Sequence, residues 1–201
     1  IASLSIAFPR MPSDNLILVN DSGDAGYAQE LLRTYPHIDR QIHHAHRRGL
    51  AGAIHSAWTA ALEYDCEFIF HCEGDFTFSE PIQIGHMSDL LDRDPFLAQV
   101  SLKRQPGNEH EAEMGGFIEC SPSDYFQQSD YVLHRTCFTF NQCLIPRHIA
   151  EIYLAHDGAG LEKDFTELLV SRSFHFGIYG QIADPPRAIH VGAVRAQGWK
   201  V

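Results

Sequence analysis

The sequence predicts an α/β domain in which a mainly parallel sheet is flanked by helices. Through the first hundred residues, short runs of β-branched and aromatic residues alternate with stretches that repeat apolar residues at helical spacing. This alternation is typical of parallel sheets with crossover helices. The 201 residues suit one domain with a sizeable core. A hydrophobic content of 44% and a charged content of 20% are ordinary for a globular protein.

The first half of the chain carries the clearer elements. Residues 50–64 match the i, i+3, i+4, i+7 template of an amphipathic helix closely, and residues 67–72 follow as a buried strand. Pro81 suits a first helical position, so we predict a helix over residues 82–92. The remaining elements predicted in this half are strands over residues 14–20, 39–46 and 97–102 and a helix over residues 26–34.

The second half of the chain shows a mixed pattern. Residues 104–116 are polar and rich in Gly, Pro and Glu, which is typical of a loop. The other predictions are an extended segment over 136–145, helices over 147–156 and 161–174, and strands over 176–183 and 187–191. Residues 1–8 fit either a strand or the end of a helix, and we favour the helix end. No repeat or linker divides the chain, so residues 1–201 are expected to form a single domain.

Charge and cysteine usage limit the partners and the compartment. The formal charge of -11 argues against a surface built to bind nucleic-acid phosphates. The five cysteines are odd in number and form no Cys-X-X-Cys pair, which argues against a disulfide scaffold or a zinc ribbon. No apolar run approaches the roughly 18 residues of a membrane span. We therefore expect a cytoplasmic protein with reduced thiols.

An acidic turn, Glu73-Gly74-Asp75, follows the most apolar predicted strand. Open α/β sheets place their binding crevice at this end of the strands, and hard divalent cations prefer such oxygen ligands. A solvated turn would explain the same residues without any ligand. Taken alone, the turn leaves both interpretations open.

A second polar turn, Asn20-Asp21-Ser22-Gly23, closes an earlier predicted strand in the same manner. Asp and Ser at this position are also typical of an Asx turn that caps a helix. The carboxyl ends of neighbouring parallel strands meet at one edge of a sheet. The two turns are therefore expected to outline one crevice.

Five motifs in order along the chain resemble those of GT-A fold glycosyltransferases, in particular glycosyltransferase family 2. Asn20-Asp21-Ser22-Gly23 resembles the family's Asp-Asp-Gly-Ser, and Glu73-Gly74-Asp75 resembles its Asp-X-Asp. The other three motifs are Gly49-Leu50-Ala51-Gly52-Ala53, Glu162-Lys163-Asp164 with Leu168, Leu169 and Arg172, and His190-Val191-Gly192. The resemblance covers nearly the whole chain.

The resemblance implies a GT-A, Rossmann-like architecture with its parts in a fixed order. Residues 1–103 would form the nucleotide-sugar-binding half, and residues 104–201 the acceptor-binding and catalytic half. Residues 1–8 would be the end of the family's first helix. The family's first strand, which carries part of the nucleotide pocket, would then lie upstream of Ile1.

The resemblance also implies roles for individual residues. Asp75 would be the principal metal ligand, Glu73 would face the ribose or the metal, and His190 would be a further metal or diphosphate ligand. Asp21 would contact the nucleotide base, and Asp164 would be the general base. The remaining nucleotide-sugar-binding residues would be Asn20, Ser22, Arg48, Gly49 and Gly74.

Two departures from the family pattern leave alternatives open. Asn20 replaces the usual first Asp, which leaves open which nucleotide base the donor carries. Lys163 separates the acidic pair, so Glu162 remains an alternative to Asp164 as the general base. In addition, Phe138 and Phe140 are expected either to line the acceptor side or to be core residues.

Three histidines, His43, His44 and His46, lie beside two arginines, Arg47 and Arg48. His-X-His can bind a metal, but the polar surroundings favour a solvated edge of the fold. Either arginine could instead reach the nucleotide phosphates, because a guanidinium suits them.

The function expected from these features is that of a metal-dependent, inverting glycosyltransferase. It would use a UDP- or GDP-sugar as donor, and the acceptor stays unidentified. A bound Mn²⁺ or Mg²⁺ would offset the charge of the leaving nucleotide diphosphate, and one carboxylate would take the proton of the acceptor hydroxyl. The alternatives are a nucleotidyltransferase on a similar sheet and an inactive GT-A-like binding protein.

Overall fold

The computed structural model describes residues 15–156 and 162–191. Within these ranges, strands and helices alternate up to Leu102 as predicted, except that the unpredicted strand β4 follows β3 directly. The strands are β1 (Ile17–Asn20), β2 (Arg40–His43), β3 (Phe68–His71), β4 (Phe76–Phe78), β5 (Leu97–Leu102), β6 (Tyr125–Gln127), β7 (Tyr131–His134), β8 (Cys143–Pro146), β9 (His175–Tyr179) and β10 (Ala188–His190). The helices are α1 (Ala25–Thr34), α2 (Gly49–Ala61), α3 (Ile84–Arg93), α4 (Glu109–Met114), α5 (Phe117–Cys120), α6 (Arg147–Ala155) and α7 (Glu162–Ser171). The prediction for residues 1–8 falls outside the described residues.

The sheet is mixed, so the prediction of a mainly parallel sheet is wrong, although the α/β class is confirmed. Six strands follow the order β3-β8-β5-β9-β7-β6, and only β5 and β9 are parallel neighbours. Strands β1 and β2 form a separate parallel pair, and β4 and β10 form an antiparallel pair. The antiparallel pairs arise because β8 returns between β3 and β5 and because β6 and β7 form a hairpin, which needs no crossover helix.

Several element boundaries differ from their predictions for local reasons. Helix α3 begins at Ile84 rather than at residue 82, so Pro81 lies before the helix. The predicted loop over residues 104–116 contains α4, whose first turn is capped by Asn108 through a 2.9 Å bond from Glu111 N. Strands β6 and β7 lie where no element is predicted, and only the end of the segment 136–145 forms a strand.

An aromatic core lies between the six-stranded sheet and helices α2, α6 and α7. Trp58 of α2 is 1% exposed, and its ring centroid lies 5.0 Å from that of Tyr153 and 5.7 Å from that of Phe140. Phe138 and Phe140 are both buried in this cluster, so their interpretation as core residues is confirmed. A second core packs α3 against the opposite side of the sheet.

Among the described residues, no helix combines the length and the hydropathy that a membrane crossing requires. All five cysteines are free thiols in the structure. Cys143 is buried, whereas Cys66 and Cys72 are only partly buried.

Candidate functional site

Asp75 and His190 form the centre of the candidate site. The acidic turn follows β3 directly, and β4 begins one residue after Asp75. Strand β10 pairs with β4 so that His190 lies opposite Phe76, and this register brings His190 Nε2 to 2.8 Å from Asp75 Oδ2. The imidazole also packs edge-on against the Phe76 ring at 5.0 Å between centroids. Antiparallel pairing of two short strands thus joins two motifs that lie far apart in the sequence.

Glu73 lies on the same turn in a less exposed position. The pKa of Glu73 is raised to about 7, mostly by burial and in addition by the charges of Asp75 and Glu162. The cause is that desolvation and neighbouring negative charge both disfavour a carboxylate. Glu73 therefore exchanges its proton near neutral pH, and a cation placed beside it would favour its charged form.

Glu162 holds the segment before β8 in place. Its Oε1 accepts a 2.7 Å hydrogen bond from Phe140 N and a 3.0 Å bond from Thr139 Oγ1. Because Phe140 is 3% exposed, its N–H has little access to water. The structure therefore shows Glu162 as an anchor for this segment, and its charge also acts on Glu73.

Asp164 is an exposed residue in the first turn of α7. None of the described residues forms a hydrogen bond or an ion pair with its carboxylate. Acidic residues at this position also favour any helix through its dipole. The two candidate bases thus differ in geometry: Glu162 is engaged by the backbone, whereas Asp164 is exposed.

Asp21 organises the loop that leads into α2. Its Oδ1 accepts from Arg48 N at 2.8 Å and lies 2.7 Å from His44 Nδ1, while Oδ2 accepts from Gly49 N at 2.8 Å. Burial acts to raise the pKa of Asp21, but these hydrogen bonds outweigh it and hold the pKa below its usual value. Gly49 has a φ of 74°, a left-handed conformation that favours glycine. Asp21, Arg48 and Gly49 therefore cooperate in shaping this loop.

The three histidines of residues 43–46 do not share one environment, so the prediction of a solvated edge is wrong for His44. That side chain is buried, and its Nε2 lies 2.9 Å from Ser56 Oγ of helix α2. His43 is partly buried and His46 is exposed. Among the described residues, these side chains form no group that could hold a metal ion.

Asn20 and Ser22 complete the polar turn after β1. Asn20 is 4% exposed, and its Oδ1 accepts from Ser22 N at 3.0 Å. Ser22 Oγ in turn accepts from Asp24 N at 3.0 Å. Asp24 caps α1 by accepting from Gly26 N and Tyr27 N. This segment is therefore a hydrogen-bonded turn of the kind expected from the sequence.

One cleft of about 1300 Å³, which we call the interstrand cleft, connects the two polar turns. Its walls include all residues of β1 and β3 and much of one side of α2. Its polar end is lined by Asn20, Asp21, Glu73, Gly74 and Asp75. The two strand-end turns therefore open on the same cleft.

The polar end of the cleft offers the carboxylates of Glu73 and Asp75, and His190 adds an imidazole beside Asp75. In the described ranges, no three His, Cys, Asp or Glu side chains are arranged to hold a metal by themselves. Mg²⁺ is usually held by one or two carboxylates together with the phosphates of a substrate. Asp75 and Glu73 would provide the carboxylates and His190 an additional ligand. Gly74 is exposed between the two carboxylates, and without a side chain it leaves them open to an approaching ligand.

Sequence reasoning missed several residues that hold the site together. Thr139 bonds Glu162, and Gln105 Nε2 donates to the carbonyl oxygen of His190 at 3.2 Å. Both contacts join segments far apart in the chain, and no local pattern identifies them. The sequence around His44 predicted a solvated edge and gave no signal for its burial.

No protein-family model matches the chain, and a comparison with curated proteins finds no significant match. The resemblance to glycosyltransferase family 2 thus depends on the five motifs alone.

Proposed function

We propose that the protein is a metal-dependent glycosyltransferase that moves a sugar from a UDP- or GDP-sugar to an acceptor hydroxyl. The observation that carries the proposal is the 2.8 Å contact between Asp75 and His190, which are 115 positions apart. Both residues belong to motifs that resemble the family's metal-binding motifs. Their contact beside a large cleft, which Asp75 lines, supports a common role in binding one ligand.

The proposed roles follow from the position and the exposure of each side chain. Asp75 lines the cleft and is half-exposed, and His190 beside it is 20% exposed. A bound Mn²⁺ or Mg²⁺ would offset the charge that develops on the leaving nucleotide diphosphate. Glu73, with its pKa raised by burial to about 7, would become charged beside that cation.

Asp164 is the proposed general base, since it is exposed and has no bonding partner among the described residues, whereas Glu162 is committed to Phe140 N and Thr139. A base must come within hydrogen-bond reach of the acceptor hydroxyl to take its proton. One base opposite the leaving group leads to inversion at the anomeric carbon. A pair of carboxylates that flank the bond, as in many glycosidases, is not needed.

Isothermal titration tests the donor site. The titrants are UDP, GDP, UDP-glucose and GDP-mannose, each with and without Mn²⁺. We expect one nucleotide to bind only when Mn²⁺ is present. The Asp75→Ala variant should bind it at least tenfold more weakly, because a direct cation ligand is lost. Asp65→Ala is the matched control, since Asp65 is an exposed carboxylate that precedes β3.

Three outcomes would contradict the proposal. If a folded sample binds none of the nucleotides, the donor site is absent. If binding occurs but no nucleoside diphosphate is released from the sugar donor with any acceptor extract, the protein is a binding module. If pyrophosphate is released from a nucleoside triphosphate and a sugar phosphate, the protein is a nucleotidyltransferase.

A further inference from the structure

A serine, a histidine and an aspartate that have no step in the proposed sugar transfer form a chain of hydrogen bonds between α2 and the β1–β2 pair. Ser56 Oγ lies 2.9 Å from His44 Nε2, and His44 Nδ1 lies 2.7 Å from Asp21 Oδ1. The two bonds use the two different nitrogens of one imidazole. This is the order of atoms in a Ser-His-Asp catalytic triad, which is recognised by its geometry rather than by sequence position.

Strand pairing brings His44 and Asp21 together. The parallel register of β1 and β2 places Asn20 beside His43, and a 3.0 Å bond from His44 N to Asn20 O extends the pairing by one residue. Asp21 and His44 therefore leave neighbouring strands at the same end of the pair. Two backbone N–H groups at the start of α2 also donate to the Asp21 carboxylate, each at 2.8 Å. The group that orients the imidazole is thus held in place by backbone.

The bonding pattern sets the direction of proton transfer. A carboxylate only accepts hydrogen bonds, so Asp21 receives the N–H at Nδ1 of a neutral His44. The other nitrogen, Nε2, then carries a lone pair that accepts the hydroxyl proton of Ser56. Because His44 is 7% exposed, water competes little for either nitrogen. The serine hydroxyl is in this way placed against a general base.

Arg48 adds positive charge at the serine oxygen. Its Nη1 donates to Ser56 Oγ at 3.2 Å, across two turns of α2. Gly52 lies between them, and a Cβ on this glycine would come within 2.5 Å of Arg48 Cβ, so a side chain there would displace the arginine. Backbone N–H groups inside a helix are already bonded to carbonyls one turn earlier. A side-chain donor such as Arg48 is therefore needed to stabilise negative charge on the reacting oxygens.

We propose that Ser56 is the nucleophile of a hydrolytic site for small carboxylic esters. His44 is its general base, and Asp21 is the positioning residue that orients the imidazole. Ser56 lies partly buried on α2 rather than among the residues that line the interstrand cleft, which suits a small ester that approaches from solvent. This activity is separate from the proposed sugar transfer and does not depend on it.

The reaction proceeds in two halves. In the first, Ser56 Oγ forms a bond to the carbonyl carbon of the ester while its proton passes to His44 Nε2. The bond from that carbon to the alcohol oxygen breaks, and the protonated imidazole gives its proton to the leaving alcohol. In the second half, water gives a proton to His44 as its oxygen attacks the acyl carbon. The carboxylic acid leaves, and the proton returns to Ser56 Oγ.

A fluorophosphonate probe, which reacts covalently with activated serine hydroxyls, tests the nucleophile directly. The protein is treated without nucleotide or metal, so that the result does not depend on the donor site, and the labelled peptide is identified by mass spectrometry. We expect the label on Ser56 and its loss in Ser56→Ala. Ser88→Ala is the matched control and should leave labelling unchanged. Ser88 is a partly buried serine within α3, and its hydroxyl donates to a backbone carbonyl, that of Gly85, at 2.9 Å.

Hydrolysis of p-nitrophenyl acetate measures the role of each partner in variants that circular dichroism shows to be folded. Ser56→Ala and His44→Gln should each lower kcat at least about 100-fold. Asp21→Asn should lower kcat by at least about 100-fold and change KM by less than about threefold, because it favours the wrong tautomer of the imidazole without touching the ester. Arg48 is exposed, so Arg48→Gln tests the site without a risk to folding; it should lower kcat at least about tenfold.

Three outcomes would overturn the proposal. A folded protein that takes no label at Ser56 would show that the chain of hydrogen bonds is purely structural. Equal labelling rates at Ser56 and Ser88 would show that His44 does not activate the serine. Turnover of p-nitrophenyl acetate at the wild-type rate in Ser56→Ala or in Arg48→Gln would place the hydrolysis elsewhere on the protein.

Discussion

Replacing the two acidic residues at the start of α7 separates an anchoring role from a catalytic one. Glu162→Ala removes the acceptor of two hydrogen bonds, from Phe140 N at 2.7 Å and from Thr139 Oγ1 at 3.0 Å. A buried N–H left without an acceptor costs about 1–3 kcal/mol. Because Phe140 is 3% exposed, water replaces the lost bond poorly, and we expect a total loss of about 2–3 kcal/mol in the free energy of unfolding.

Urea denaturation measures this loss. With a slope of about 2 kcal/mol per molar urea, the unfolding midpoint of Glu162→Ala should fall by about 1 M. Glu162→Gln keeps an oxygen acceptor and should lose only about 1 kcal/mol. Asp164→Asn is the matched control on the same helical turn, and it should change the unfolding free energy by less than about 0.5 kcal/mol, because Asp164 is exposed.

If the proposed function holds, the loss of sugar-transfer activity in these variants should rank them in the opposite order to their loss of stability. Asp164→Asn should lower turnover by about 100-fold or more, as expected for the loss of a general base. Glu162→Gln should retain turnover within about tenfold, since the segment that it anchors stays in place. The reasoning would be refuted if Glu162→Ala unfolded at the urea concentration of the wild type, or if Asp164→Asn were the destabilised variant.

Three further predictions concern stability. Asp21→Ala should lower the unfolding free energy by about 2 kcal/mol at neutral pH in urea denaturation. The difference should shrink as the pH falls through the lowered pKa of Asp21, and a constant difference would contradict its cause. Burial lowers the pKa of His134 from 6.5 to about 4, so protonation favours the unfolded chain, and stability is lost as the pH falls below 6.5. His134 contributes about 2 kcal/mol to the loss between pH 7.5 and pH 5, so the loss should be smaller by that amount in His134→Gln than in the exposed control His110→Gln. The remaining loss comes in part from His71, whose pKa burial also lowers to about 4. Trp58→Ala should lower the unfolding free energy by about 3–5 kcal/mol in calorimetry, and a loss below about 1 kcal/mol would argue against its central place in the core.

Local patterns were sufficient for the individual elements of the first half. Helix α2 and strand β5 lie where their periodicity predicts them, because helical and strand spacing depend on residues close in the chain. The order and direction of the strands were not accessible in this way. β8 lies between β3 and β5, and that position depends on which apolar faces fit together rather than on any pattern within residues 143–146.

In the candidate site, too, some features follow from local sequence and others only from tertiary packing. The sequence located its carboxylates, since Asp21, Glu73 and Asp75 each follow a predicted strand directly. It did not show that His44 and two backbone N–H groups engage Asp21. Nor did it show that Glu162 anchors a buried N–H. These partners come from other segments, so only packing decides them.

The sequence by itself determined the α/β class, the positions of the strand-end turns and the order of the five motifs, because each of these depends on residues that are close together in the chain. Only the tertiary structure decided that the sheet is mixed, that Asp75 meets His190, and that β1 and β3 border one open cleft. The physical reason is that strand pairing and side-chain contacts form between segments distant in sequence, where the fit of whole surfaces determines which neighbours meet.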